Sequence, residues 1–325
     1  VNGPTAIAEL IEDRGEAAAD EDFFRSRPFL DAEEVTHTLR IACGEVELVA
    51  PLIVREIGDG PERDAVSPYG YPGIVNSLAV AEVDHTLVGS MSAAPFDPAA
   101  VDFSATGLVT IFVRHTLAAP LLAGASERNV VQIADPDLPA KSRGSDRNQI
   151  NKNLRRGYEV RLISGPDTTV ADRAGFLAAY EQTMRRAGAA NRYFFTAVYF
   201  DRILSSAQTW LALALAPNGE VAAASVAARS DGYLHYYLSG SADSHLRDSP
   251  MKNVVASLTE LSAELGLPLN LGGGIVRGDR LEEFKRGFAN REQVWHTSEI
   301  ICDEAAYARL SAGCVAGAFF PAYRA

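Results

Sequence analysis

The chain has 325 residues and a formal net charge of −12, and at roughly 100–200 residues per domain it is expected to form two domains. Its 47% apolar and 22% charged residues exclude a disordered chain. The acidic balance excludes a protein that coats DNA, because non-specific binding neutralises phosphates with cations, so any nucleic-acid contact is local.

The N-terminal stretch VNGPTAIAELIEDRGEAAADEDFF is acidic and lacks the basic-then-apolar order of a secretory signal. The first ~35 residues read as helical. Elsewhere, apolar runs break on charge or glycine well short of the ~20 residues a membrane span needs. Cys43, Cys302 and Cys314 are scattered and lack metal-ligand spacing. They read as reduced thiols in a cytoplasmic protein.

Strand-like runs follow at THTLRIAC and VELVAPLIVREI. SPYGYPGIV, from Ser67 to Val75, is a turn carrying Tyr69 and Tyr71. GLVTIFVRH and NVVQIADPDLP are further strand candidates. From Arg143 to Arg156 the pattern predicts a helix, with Gly157 as its C-cap and YEVRLI as the next strand. Lys141, Arg143, Arg147, Lys152, Arg155, Arg156 and Arg161 make this region a basic island in an acidic chain. Two readings stand: a solvated helix face, or a site for a phosphate-bearing substrate.

An amphipathic helix places Phe176, Leu177, Tyr180 and Met184 at helical spacing, and AVYFDRILSSA is a second helix. Strands TWLALALAP, VAAASVAAR and YLHYYLSGS come next, the first two joined by the hairpin signal PNGE. In the third, Tyr233, His235 and Tyr237 are expected on one face and Leu234, Tyr236 and Leu238 on the other. A loop from Ser239 to Ser249 precedes a helix with Ser249 as N-cap, Pro250 at the first position and Gly266 at its end.

LNLGGGIVRGDRLEEFKRGF, Leu269 to Phe288, is a strand, a glycine run and a short helix. Asp279 followed by Glu282 is a capping-box-like start. Leu281, Phe284, Lys285 and Phe288 then share a face. Lys285 thus stands where the pattern asks for an apolar side chain. It snorkels, pairs with an acid, or works in a site. Gly272, Gly273 and Gly274 either make a tight turn or leave a side-chain-free edge open to a bound chain. A strand EQVWHTSEII and a helix from Asp303 complete the chain.

The order in the second half is that expected of the GNAT N-acyltransferase fold. The fold class is α+β: two GNAT-like domains in tandem, with mixed, mainly antiparallel sheets flanked by helices. The division is placed at residues 1–163, a degenerate copy that binds acceptor, and residues 164–325, which hold the acyl donor and the catalytic site. An acyl-CoA enzyme of this fold keeps a glycine-rich pyrophosphate cradle at the 239–249 loop. Here that loop has the single glycine Gly240, which makes CoA the less favoured carrier. The sequence contains no Gly-x-Ser-x-Gly elbow, Walker loop, His-Glu-x-x-His or Cys-x-x-Cys motif.

SPYGYPG, KNLRRGYEVR, YLHYYLSGS and LNLGGG…DRLEEFKRGF together resemble the Fem family of aminoacyl-tRNA-dependent peptidyl transferases. The resemblance runs from about Val46 to Ile301 and is strongest over Tyr233–Phe288. It implies transfer of an amino acid from tRNA to the amine of a peptide or peptidoglycan-precursor acceptor, without metal or nucleotide cofactor. It implies catalytic roles for Phe284 and Lys285, the lysine steadying the charge of the tetrahedral intermediate. Expected donor or tRNA contacts are Gly272, Gly273, Gly274, His235, Tyr237 and Arg247. Expected acceptor contacts are Tyr69, Tyr71, Lys152 and Arg155. The long helical arm of FemA- and FemB-type enzymes is missing, which favours a small peptide acceptor such as an antibiotic intermediate. An acyl-CoA N-acyltransferase and a catalytically dead binding protein on the same fold are the alternatives.

Overall fold

A computed structural model describes residues 6–12, 22–77, 96–314 and 319–325. Its elements are β1 (Ala6–Ile11), α1 (Arg27–Ala32), β2 (His37–Cys43), β3 (Val46–Glu56), β4 (Arg63–Val66), β5 (Val75–Asn76), β6 (Val101–Asp102), β7 (Leu108–Arg114), β8 (Ser126–Ala134), α2 (Gly144–Arg155) and β9 (Glu159–Ser164). They continue as α3 (Val170–Arg186), α4 (Ala197–Ile203), β10 (Thr209–Leu215), β11 (Val221–Ser230), β12 (Tyr233–Ser241), α5 (Met251–Leu265), β13 (Leu269–Gly272), α6 (Arg280–Arg286), β14 (Arg291–Ile301) and α7 (Glu304–Leu310).

The described residues form two compact units, one of 6–12, 24–77, 96–128, 295–314 and 319–325, the other of 22–23 and 129–294. The division expected after residue 163 falls inside the second unit, because β9 pairs with β10 from Trp210 opposite Ser164 to Leu215 opposite Glu159. No helix among the described residues is long and apolar enough to cross a membrane.

In the first unit the strand order is β6-β1-β2-β3-β4-β7, and Thr297–Ile301 of β14 pairs with β7. A strand stands where the sequence reading expected helix. In β1, Ala6 and Ala8 are buried while Ile7 and Glu9 are exposed, a period of two that the surrounding acidic stretch obscured. Residues 13–21 of that expected helix lie outside the described residues. Leu39, Ile41, Ala50, Leu52, Ile111 and Val113 form the centre of this unit's core. Asp64 is fully buried and held by Arg55 at 2.9 Å and Arg324 at 2.5 Å, the pairing a buried carboxylate requires.

In the second unit the order is β8-β13-β12-β11-β10-β9, antiparallel except for the parallel β12–β13 contact. Alanines at 212, 214 and 223 let α5 lie close on one face, where Val254, Val255, Leu258 and Leu261 pack against them. Fully burying each such branched side chain stabilises by about 1.5–3 kcal/mol. The opposite face carries α3. A Cβ at Gly240 would meet the Tyr180 Cα at 2.4 Å, so only glycine admits the helix backbone there. Thr169 caps α3 in a capping box with Asp172. The start of α5 differs by one residue from the sequence reading. Pro250 is its N-cap, while Ser249 is left-handed at φ 48° and its hydroxyl donates back to the Leu246 carbonyl.

The alternation expected in β12 breaks at Tyr237. Tyr236 pairs with Ala227 and Leu238 with Val226, so Tyr237 is the extra residue of a β-bulge. Leu238 therefore leaves the face of Leu234 and Tyr236, and Ser239 and Ser241 turn to the α5 side.

Candidate active site

Strands β12 and β13 share only the positions Leu234–Leu269 and His235–Asn270 before they part. Beyond that point β12 continues to Ser241, while β13 runs into the glycines. A cavity of about 270 Å³ opens alongside, in the second unit. Tyr236, Met251, Leu281 and Phe284 supply its apolar lining; Thr183, Arg186, Ser239, Ser241 and Lys252 supply the polar part. Burial pushes the Tyr236 phenol up to about 12.

Phe284 faces this cavity from α6 and meets Phe288 edge-on at 5.6 Å. Lys285, one residue on, is turned inward and is 8% exposed. Its Nζ donates to the Gly273 carbonyl at 2.7 Å. Among the described residues no carboxylate forms an ion pair with it. Burial pushes the ammonium down to about 8, and the charge of Asp279 pulls the other way. The ammonium thus neither reaches water nor pairs with an acid among the described residues.

The glycine run is built around that lysine. Gly272 is left-handed at φ 74°. At Gly273 a Cβ would meet the Val130 carbonyl at 2.7 Å, and at Gly274 it would meet Asp279 Oδ1 at 2.5 Å. Asp279 is the N-cap of α6: Oδ1 accepts from Glu282 N at 2.8 Å, and Oδ2 from Ile275 N at 2.7 Å and Val276 N at 3.0 Å. The reciprocal half of a capping box is displaced by one residue, since Glu282 accepts from Gly278 N at 2.7 Å. Glu282 is itself buried, paired with Arg286 one turn on.

His235 is 1% exposed and engaged on both nitrogens. Nδ1 accepts from Asn270 Nδ2 at 3.1 Å, and Nε2 donates to the Ser230 carbonyl at 3.2 Å. Burial pushes it down to about 4, so it is a neutral, internally satisfied imidazole. Tyr237 shares a hydroxyl contact of 2.8 Å with Tyr199 and meets Phe23 edge-on. Neither residue lines the cavity. Arg247 is exposed on the 3₁₀ segment Asp243–Asp248.

The basic island is sorted by the fold. Arg156 pairs with Asp248, Arg161 with Asp172 at 3.3 Å, and Arg143 with Glu283 at 3.7 Å. Lys141, Arg147, Lys152 and Arg155 are exposed and form no ion pair among the described residues. The opposite side of α2 is polar and buried. Asn153 donates to the Asp248 carbonyl and to Asn253, each at 2.8 Å, and Asp146 holds Lys252 at 2.8 Å. Tyr69 and Tyr71 belong to the first unit, where the Tyr69 N–H donates to Glu33 at 2.9 Å and the Tyr71 ring meets Trp295 at 5.3 Å.

Four contributors escaped the sequence reading. Arg186 and Lys252 end up beside the cavity, and Asp146 and Asn270 support it from behind. Lys252 had a signal, since it follows Pro250 in the first turn of a well-marked helix. Asp146 had none, because its partner is more than 100 residues away.

Residues 140–286 match the model of the acetyltransferase (GNAT) domain. No curated protein sequence matches the chain. Among solved structures the chain is similar to FemX at TM-score 0.61 and 12% identity, covering 93% of this chain and 99% of that one. It is similar to the C-terminal domain of a putative lysylphosphatidylglycerol synthetase from Agrobacterium fabrum at TM-score 0.55 and 14% identity, over 90% and 92% of the two chains. L-PGS from Bacillus licheniformis follows at TM-score 0.50 and 12% identity, over 79% and 82%. At these identities the likeness is one of fold, and the chain has a Fem-like tandem GNAT fold.

Proposed function

We propose that the protein transfers an aminoacyl group from aminoacyl-tRNA to the amine of a peptide acceptor, in the cytoplasm. The acceptor is an antibiotic intermediate or a peptidoglycan precursor. The observation that carries this reading is Lys285, a buried cation with no carboxylate partner among the described residues, next to Phe284 on the cavity wall. In the reaction the acceptor nitrogen attacks the ester carbonyl carbon. A C–N bond forms, the ester C–O bond breaks, and the proton lost by the amine ends on the departing ribose oxygen. The Lys285 ammonium keeps two N–H groups beyond the one given to Gly273. In a desolvated site such a cation aimed at the developing oxyanion is worth about 3–4 kcal/mol. No general base is assigned, since His235 has no free nitrogen and the amine is itself the nucleophile.

FemX is the neighbour that supports aminoacyl transfer, and the lysylphosphatidylglycerol synthetase domain points the same way. The unpaired cations of α2 supply a local contact for an RNA backbone in an otherwise acidic chain. Gly240 speaks against a CoA cradle, because it is occupied by the packing of α3.

A second reading is favoured by the acetyltransferase model matched at residues 140–286: N-acylation of an amine from acyl-CoA through the same oxyanion chemistry. One experiment separates them. A panel of aminoacyl-tRNAs is offered with candidate peptide acceptors, with and without RNase, beside an acetyl-CoA arm, and products are read by mass spectrometry. RNase-sensitive aminoacyl products support the first reading. Acylation from acetyl-CoA that survives RNase replaces it with the second.

A further inference from the structure

The carboxylate of Asp279 gathers the turn from Gly273 to α6 around itself. It accepts from the backbone N–H groups of Ile275, Val276 and Glu282 at 2.7–3.0 Å. It also lies on Gly274 so closely that a Cβ there would sit 2.5 Å from Oδ1. Gly273, the residue before, presents its carbonyl to Lys285 Nζ at 2.7 Å. Asp279 therefore holds the turn whose Gly273 carbonyl Lys285 bonds, and also starts the helix that carries Lys285. Its own acidity is held below the usual carboxylate range by the Glu282 and Val276 N–H groups, so it is ionised.

We propose that Asp279 is a positioning residue for Lys285, setting both where the ammonium sits and the charge it faces. The proposal rests on the reading of Lys285 as the oxyanion partner for its use, though not for its test. Other charges near α6 are already engaged. Glu282 is held by Gly278 and Arg286. Asp146 of α2, which reaches Gly287, is paired with Lys252. Arg143 pairs with Glu283 on the outer side. Among the described residues, that leaves Asp279 as the carboxylate acting on the lysine.

The test reads Lys285 directly, without substrate. The whole protein is reductively methylated with ¹³C-formaldehyde at trace level, and the Lys285 dimethylamine signal is assigned by its loss in Lys285→Met. Its midpoint is then followed by NMR against pH. In the wild type the midpoint is expected below the ordinary lysine range, because the site buries the ammonium. Asp279→Asn keeps an N-cap acceptor and removes the charge, so the midpoint moves down. Asp279→Glu keeps the charge and moves it less. A midpoint in Asp279→Asn equal to wild type, with the circular dichroism spectrum unchanged, overturns the proposal. Asp279→Ser, which also keeps a cap oxygen, takes its place if the Asn variant does not fold. Aminoacyl transfer plays no part in this readout, so a protein that fails the donor panel can still pass here, and the reverse.

Discussion

Asn270 Nδ2 donates to His235 Nδ1 at 3.1 Å, and this bond ties β13 to β12 at the last position where the two strands pair. The same Asn270 accepts from Gly272 N through Oδ1 at 2.8 Å. One buried amide thus fixes both where the strands part and how the glycine run begins. Asn270→Ala removes the amide that donates to the buried imidazole and the acceptor of the Gly272 N–H. The expected cost is about 1–3 kcal/mol for each buried group left unsatisfied, read as a lowered urea midpoint.

His235 also sets an acid limit on stability. Its pKa is near 4 in the folded protein against an ordinary 6.5. The unfolded chain therefore takes up this proton first. The stability linked to neutral His235 is complete above pH 6.5 and declines as pH falls towards 4, at up to about 1.4 kcal/mol per pH unit. His115 behaves alike in the first unit, pushed down to about 4 by burial and by His296. Melting temperatures between pH 7 and 4.5 should flatten in His235→Gln relative to wild type. An unchanged slope contradicts the assignment.

Lys285 carries the opposite window. Its folded pKa of about 8 lies below the ordinary 10.5, so the unfolded chain binds the extra proton between these values. The burden of the buried ammonium is full below pH 8 and relieved as pH rises towards 10.5, on the order of 3 kcal/mol in all. Lys285→Met removes the charge at similar volume. It is expected to melt higher than wild type at pH 7, with the advantage shrinking as pH rises from 8 to 10.5. Its transfer rate should fall about 10²–10³-fold, as for loss of one oxyanion donor. Wild-type turnover should itself decline above pH 8 as the ammonium is lost.

Gly240→Ala places a methyl against the backbone of α3 at Tyr180 and Ala179, at 2.4–2.5 Å. Backbone cannot swing aside as a flexible side chain can, so the helix must shift. About 1–3 kcal/mol of destabilisation is expected from such overpacking, measured by thermal melting. Gly219→Ala, in an open hairpin turn at φ 84°, serves as the strained but uncrowded control.

The exposed cations of α2 give a salt-dependence prediction. Lys152→Gln with Arg155→Gln removes two charges from the exposed face of α2, whose one acid, Asp146, lies on the buried side against Lys252. If tRNA lies on this face, the slope of log K against log salt should become shallower by roughly 0.7–0.9 for each phosphate no longer neutralised. Filter binding across about 50 to 200 mM salt, the span over which such slopes are steep, decides it. An identical slope moves the RNA elsewhere.

Much of the second unit was legible in the sequence because its signals are local. Pro250 and Gly266 bracket α5, PNGE marks the β10–β11 turn, and the 3.6-residue spacing of Phe284, Lys285 and Phe288 placed the lysine inward. The bulge at Tyr237 was not legible, since nothing in YLHYYLSGS marks which residue lacks a partner. The length of the second unit was misjudged because the pairing of β9 with β10 is a tertiary fact. His235 was expected as a donor contact, yet the fold uses it as a strand connector. Asp279 as a cap and Lys285 as an inward-facing lysine were readable on one short helix. That Gly273 stands between them was not, because a carbonyl has no letter in the sequence.

The bulge at Tyr237 also makes the cavity a matter of parity. With the extra residue present, Ser239 and Ser241 count as even with Tyr236 and stand on its side of the sheet, while Gly240 counts as odd and receives α3. Deleting any one residue between Tyr236 and Ser239 reverses the count for everything downstream. Serine side chains would then be driven into the backbone of α3, and the glycine would be handed to the cavity. The sheet thus tolerates substitution in this stretch far better than a change of length.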